Sequence, residues 1–451
     1  DSVLSPNGRD PLDRSTYIAF PRVLRDVCTA GCAGVTHDPV ADLFRLVARV
    51  QRHPLKATVF TSAGKRVHGT IGEDDVAAVL EGADFDPVAR ADIPAALVSG
   101  IRGDGAPLAR LLLREGAVAG NRATFAGAPV TDSEALFFAT ECEETAFPWS
   151  RTAPLSGRPA QLAAALAAVP AGVYAPFSRG VEGRTGTSRP CLHWPDASPD
   201  SPLVTGPVPD VPVLLLDGAQ DTRTPVADAQ SVASLFPHST LVTVPWTGHS
   251  VLGTDLTDCS QSALTSFSST GSAGQCGAIA PIVPVSGVAP TSLTRLRAAR
   301  GVPGKRGRTV AAVARTLSDA LRQAVELGAL GAPIEAGGLR GGTLRGALFG
   351  SVLRVRVTGL VYVPGVKISG TLTVDLASAA APSASVRVAG KAAAGGTLKF
   401  RGGRFTGRLG GRPVHSAASA AAARLAARPL SLGTMLRLRR YAALRRAALR
   451  P

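Results

Sequence analysis

The hydrophobic rhythm of the chain changes twice. Between residues 42 and 169 apolar positions recur mainly at helical spacing. Residues 42–52 (DLFRLVARVQR) are the clearest case, and 73–82, 93–101, 106–115, 133–142 and 161–169 read the same way. Residues 56–71 (KATVFTSAGKRVHGTI) alternate about an Ala63-Gly64 turn and predict a hairpin. Residues 1–24 read as a loop following a strand. The whole stretch is mostly helical and suits a lid carried by another domain.

The rhythm then shortens. Residues 211–216 (VPVLLL) form a continuous apolar run of strand length, the pattern of a buried parallel strand. A polar loop follows at 217–224, Pro225 stands where a helix begins, and 226–235 has helical spacing. Residues 240–244 predict a second strand, Gly248-His249 a turn and 256–267 a closing helix. That order predicts a βαβ unit with a parallel sheet.

Beyond it, residues 286–336 are punctuated by Pro and Gly and become helical at 310–327. From 337 to 414 short β-prone runs alternate with glycine turns, at 352–363, 366–376, 385–390, 397–400 and 404–409. Gly-Thr-Leu recurs at 342–344, 370–372 and 396–398, which points to a meander. Residues 415–451 are an Ala/Arg/Leu-rich basic tail. The expected divisions are therefore 1–24, 25–200 (helical lid), 201–285 (α/β unit), 286–336 (linker and helix), 337–414 (β-rich) and 415–451.

Composition refines this picture. The 451 residues suffice for two or three domains with a sizeable core. No apolar run reaches the roughly 18 residues of a transmembrane helix. The chain starts at Asp1 without a signal peptide, so any targeting segment is expected upstream or already removed. The net charge of +16 conceals an asymmetry: residues 291–451 hold 28 of the 49 Lys and Arg with four acids, whereas 1–290 carry a net −8. A basic third of this kind fits an anionic envelope, a membrane surface or simply arginine-rich usage. Nucleic acid is the weakest option, because no binding motif is present and aromatic residues are few in that third. Six cysteines, all in the acidic part, favour an oxidising, extracytoplasmic location. They allow 15 pairings. Chain neighbours suggest Cys28–Cys32, Cys142–Cys191 and Cys259–Cys276. Cys-x-x-Cys is absent and no histidine stands at ligand spacing from a cysteine pair, so no metal is expected. Nor does any other cofactor suggest itself.

The candidate chemistry sits in the two loops of the βαβ unit. Adjacent parallel strands bring loops at their carboxyl ends together. The first loop offers Asp217 and Asp221, the second His249. An imidazole acting as general base needs a carboxylate to fix its tautomer. Asp221, deeper in its loop, is the expected partner, whereas Asp217 ends the strand and reads as a turn residue.

Gly218, Asp221, Thr224 and Pro225, then Gly248-His249-Ser250, then Cys259 and Cys276 form a series. It resembles the end of the α/β-hydrolase fold in secreted tripeptidyl-aminopeptidase-like serine peptidases, relatives of the prolyl aminopeptidases. Residues 1–6 resemble the close of the strand before the lid, and Cys191-Leu-His-Trp194-Pro195 the return from it. The resemblance implies an α/β fold class, specifically the C-terminal half of a hydrolase with a helical lid and a small β-rich accessory domain. It also implies a serine exopeptidase using Asp221 and His249, without cofactor, on peptide N-termini or, alternatively, on small esters. Glu143 and Glu144 are the candidate binders of the substrate's ammonium group, and Trp246 a candidate pocket wall. The family's Gly-x-Ser-x-Gly elbow, however, occurs nowhere in the chain. The nearest match, Gly186-Thr187-Ser188, lacks the last glycine. His249 is therefore expected to serve a serine outside this chain. The contrasting expectation is a catalytically silent protein that binds an anionic envelope through its basic C-terminal third.

Overall fold

In the computed structural model the structure describes residues 8, 10–29, 31–114, 134–150, 152–195, 207–329, 333–378 and 381–416. The tail expected beyond 416 and the first seven residues lie outside the described residues.

Helices dominate the first part. Helices α1 (Arg14–Thr29) and α2 (Pro39–Arg52) are followed by a hairpin of β1 (Leu55–Phe60) and β2 (Arg66–Ile71). Then come α3 (Glu73–Gly82), α4 (Pro87–Ile101) and α5 (Ala106–Arg114). After them stand α6 (Glu134–Glu144), α7 (Arg158–Ala168), α8 (Arg179–Thr185) and α9 (Ser188–Cys191). Residues 14–24, expected as a loop, are helical. Tyr17, Phe20, Leu24 and Val27 recur at helical spacing, and all four are buried on one face of α1. Helix α4 begins six residues before its apolar stripe suggests. Asp86 caps it by accepting from the N–H groups of Val88 and Ala89, with Pro87 in the first turn. These helices and the hairpin share one core that includes Cys142 and Cys191.

The α/β unit is small. Strands β3 (Val213–Gly218) and β4 (Ser239–Val244) pair in parallel, Leu214 opposite Thr240 and Asp217 opposite Thr243. Helix α10 (Val226–Ala233) connects them, and α11 (Val251–Thr254) and α12 (Cys259–Thr270) follow.

The third part joins α13 (Gly304–Ala329) to eight strands. They are β5 (Glu335–Gly337), β6 (Thr343–Phe349), β7 (Val352–Leu360), β8 (Lys367–Asp375), β9 (Ser383–Ala389), β10 (Gly396–Arg401), β11 (Arg404–Leu409) and β12 (Arg412–Ser416). They form one antiparallel sheet in strict chain order, with β5 and β12 at its edges. Alternate residues of β7 (Leu353, Val355, Val357) and β9 (Ala384, Val386, Val388) are buried, and their neighbours are exposed. Val310, Val313, Leu317, Leu321 and Ala324 of α13 belong to the same core as these strand residues. Residues 304–329 are thus the apolar cover of the sheet.

Three disulfides close, Cys28–Cys32, Cys142–Cys191 and Cys259–Cys276, with Cα separations of 4.9, 5.2 and 5.8 Å. They are consistent with an extracytoplasmic protein. No described helix is long and apolar enough to cross a membrane.

The helical part meets α13 through charge. Arg110 of α5 bonds Asp319 of α13 at 2.7 Å, and Asp92 of α4 pairs with Arg322 at 2.8 Å and Arg114 at 3.2 Å. Arg114 also pairs with Glu326, and Arg340 reaches Asp104 at 2.6 Å. Burial alone would raise the pKa of Asp92, but Arg322, Arg114 and Arg110 outweigh it and hold the carboxylate below its ordinary value. Side-chain exposure at the Arg110–Asp319 pair is 11% and 7%, so removing one partner strands a charge away from water. Asp319→Ala should therefore cost about 3–5 kcal/mol in unfolding free energy, measured by denaturant titration. A loss under about 1 kcal/mol, the range of an exposed pair, would refute a structural role for this seam.

Candidate active site

The two loops of the parallel pair meet at their carboxyl ends. Asp221 Oδ1 accepts from the N–H groups of Arg223 and Thr224, both at 2.8 Å, so the loop folds around its own carboxylate. Oδ2 accepts from the Thr224 hydroxyl at 2.9 Å and lies 3.0 Å from His249 Nδ1. The Thr in the Asp-x-x-Thr-Pro series is thus a second support for Asp221, and Pro225 then admits α10. The expected pair, 28 residues apart in sequence, is in contact.

Glycine is required where the loops touch. A Cβ on Gly218 would sit 2.3 Å from the Gly248 carbonyl oxygen. One on Gly248 would sit 2.3 Å from the Asp84 carbonyl oxygen. A side chain at 218 would push the two loops apart, and one at 248 would push the His249 loop off Asp84 and Arg90.

Asp221 is fully buried, whereas the His249 side chain keeps 23% of its exposure. Burial opposes the charge on Asp221, yet the hydrogen bond and charge of His249 and the two Thr224 donors outweigh it, so its pKa lies below the ordinary value. An ionised Asp221 accepts a hydrogen bond from Nδ1–H, which keeps the proton on Nδ1 and leaves Nε2 as the working nitrogen. Among the described residues no side chain bonds Nε2. Phe85 stands edge-on to the imidazole, with ring centroids 5.2 Å apart, and Arg223 lies over the Phe85 ring.

Two residues that sequence reasoning missed hold the loops in place. Asp84, buried between α3 and α4, accepts through Oδ2 from the Thr222 N–H (3.0 Å), the Thr222 hydroxyl (2.8 Å) and the Arg223 N–H (3.2 Å). Its backbone carbonyl accepts from the His249 N–H at 3.0 Å. Burial raises the Asp84 pKa, the charge of Asp221 adds to this, and Arg90 and His249 pull against it. Arg90 donates to Gln220 Oε1 (2.9 Å), to the Ala83 carbonyl (2.8 Å) and to the Trp246 carbonyl (3.2 Å). Arg22 of α1 adds bonds to the carbonyls of Ala219 and Asp221. Nothing in the local sequence marks these side chains. A helix start read at the Asp86-Pro87 cap would have put Arg90 on α4.

Asp84, Asp221 and His249 could between them surround a cation. The carboxylate oxygens, however, already accept from backbone and hydroxyl donors whose hydrogens point at the space a cation would occupy. The donor set suits orientation of an imidazole better than metal binding.

The other candidates sit elsewhere. Glu143 and Glu144 end α6, which packs on α9 in the helical core, and Glu143 Oε1 accepts from Trp194 Nε1 at 2.7 Å. Trp246 has a left-handed backbone (φ 58°) and donates from Nε1 to the Ile279 carbonyl at 2.6 Å. It lines a cleft with Arg90, Gln220, Leu256 and Val283, and His249 is not part of that lining. Ser188 is buried at the start of α9, away from the two loops.

Asp217 corrects its reading as a turn residue. It is the fifth residue of β3 and fully buried, and among the described residues no side chain bonds its carboxyl oxygens, the Gly218 N–H being the one donor close to them. Burial, with the Asp221 charge adding to it, raises its pKa to about 8. The folded chain therefore keeps a proton that the unfolded chain releases near pH 4. Stability from this group is complete below that pH and is lost as pH rises to about 8, in total on the order of 5 kcal/mol. Asp217→Asn should flatten the fall in unfolding free energy between pH 5 and pH 8. Parallel pH profiles for the two proteins would contradict the assignment.

Residues 179–278 match the family model described as TAP-like protein. The matched stretch contains α8, α9, the βαβ unit, both loops and the Cys259–Cys276 bridge. No curated protein matches the chain. Over these residues the chain is similar to the TAP-like proteins, and the match supports an α/β-hydrolase family member with hydrolase activity.

Proposed function

We propose that Asp221 and His249 are the orienting carboxylate and the general base of an extracytoplasmic serine exopeptidase acting on peptide N-termini. Its nucleophilic serine is supplied by sequence that these 451 residues do not contain. The observation that carries this reading is the contact of a buried, ionised Asp221 with His249 Nδ1 at 3.0 Å, beside an imidazole that keeps partial exposure. In this chemistry the serine hydroxyl gives its proton to Nε2 as its oxygen attacks the carbonyl carbon. The imidazolium that forms is stabilised by Asp221 and then hands the proton to the leaving amine. A water molecule repeats the sequence and releases the acyl group. The TAP-like match and the three disulfides support the hydrolase and its location outside the cytoplasm. Glu143 and Glu144, as binders of the substrate's ammonium group, and Trp246, as pocket wall, belong to the same reading.

Two measurements test it. The 451-residue chain should not be labelled by a fluorophosphonate probe, and labelling would place a reactive serine inside it. A gene product that includes the upstream reading frame should cleave aminoacyl and tripeptidyl p-nitroanilides with free N-termini and reject their N-acetylated forms. His249→Ala should lower its turnover by about 10³-fold or more. Retained activity in that variant sinks the proposal. Equal turnover of free and blocked substrates would favour an esterase on the same machinery.

A further inference from the structure

The outward face of the sheet is a cationic surface. Each of the six strands from β6 to β11 carries at least one outward, exposed Arg or Lys, whereas the only acids on that face are Glu335 and Asp375. Two arrangements along it are unfavourable without a counter-charge. Arg345 stands directly opposite Arg356 across β6 and β7, and Arg401 directly opposite Arg404 across β10 and β11. Like charges at facing positions destabilise an antiparallel pair. Glu335 approaches Arg345 at 3.6 Å, and among the described residues no acid pairs with Arg356, Arg401 or Arg404.

Hydroxyl groups flank two of the other cations. Arg387 lies between Ser369 and Thr397, and Lys399 between Ser385 and Thr406. A cation bracketed by hydroxyl donors is a suitable seat for a phosphate oxygen. At about 4.8 Å between strands, β6 to β11 present a row some 24 Å across, far longer than one phosphate. Phe349 is the one exposed large apolar side chain on the sheet, which leaves the face without an apolar cluster for insertion into lipid or a set of rings for stacking bases. Of the 28 cations in residues 291–451, only eight lie beyond residue 416, so most of the charge belongs to the folded unit.

We propose that this sheet face binds a linear polyphosphate polymer, strand by strand, independently of the Asp–His site. The polymer's phosphates would bridge the facing arginine pairs and relieve their repulsion.

Binding of the full chain to long-chain inorganic polyphosphate, followed by fluorescence anisotropy across salt concentrations, tests this. Wild-type protein should bind, with an affinity that falls as salt rises. The variant R345Q/R356Q/R401Q/R404Q should bind at least about tenfold more weakly with a shallower salt slope, because four phosphate contacts are gone. Its melting temperature should hold or rise, since the facing repulsions are removed. The all-lysine counterpart at the same four positions should keep most of the binding. Wild-type affinity in the glutamine variant would overturn the proposal, more so if Arg→Gln changes at Arg437, Arg439, Arg440 and Arg445 abolish binding instead. Capture by vesicles of equal phosphatidylcholine and phosphatidylglycerol without any binding of polyphosphate would replace the polymer with a membrane.

Discussion

A charge removed from water must meet a counter-charge or a set of dipoles, and this requirement holds the chain together. Among the described residues three apolar cores stand apart: one among helices α1 to α9 and the first hairpin, one where β3 and β4 meet α11 and α12, and one between α13 and the eight-stranded sheet, which Ala106 and Leu256 also join. Residues 83–114 join them through buried charge. Asp84 and Arg90 face the two loops of the parallel pair, and Asp92, Arg110 and Arg114 face α13. Buried ion pairs contribute little net free energy beyond an apolar isostere, but they are intolerant of misplacement. They fix where each core stands relative to the next.

The Asp–His contact depends on that arrangement. The parallel register of β3 and β4 brings the loops to one end, Gly218 lets them touch, and Gly248 lets the second loop close on Asp84. Asp84, through a carboxylate that binds one loop and a carbonyl that binds the other, prevents them from sliding apart. The imidazole is thus oriented at two removes, by Asp221 directly and by the helical part through Asp84. Asp217, buried without a side-chain partner one residue before Gly218, is the least comfortable group in the neighbourhood. Its retained proton spares the loop a second negative charge beside Asp221.

What was legible in the sequence was what local periodicity encodes. The alternation of 56–71 gave the hairpin, the run VPVLLL marked β3, and chain proximity matched all three disulfides. Pro225 marked the start of α10 to within a residue. The loop series containing Asp221, Thr224, Gly248 and His249 was legible because each residue has a local task. Helix α1 was missed since Pro21 interrupts an otherwise clear stripe, and β6 because Gly346 and the arginine at 345 weaken its alternation. The apolar stripe of α13 was visible, but not that the strands after it were its partner. Asp84 and Arg90 were invisible for the same reason, since their worth lies in residues 130 or more positions away.

An open sheet of eight strands has two free edges, and an edge is a template on which another chain can add a strand. Here both edges are blunted. At one side β5 is only three residues long, too short to recruit a stable partner. At the other, Pro413 is the second residue of β12 and offers no N–H outward, so a strand laid against it would lose a rung. Among the described residues the sheet therefore stops at eight strands. Its broad face stays open to solvent while its rims resist self-association, which lets a strongly β-rich, exposed surface exist without seeding fibres.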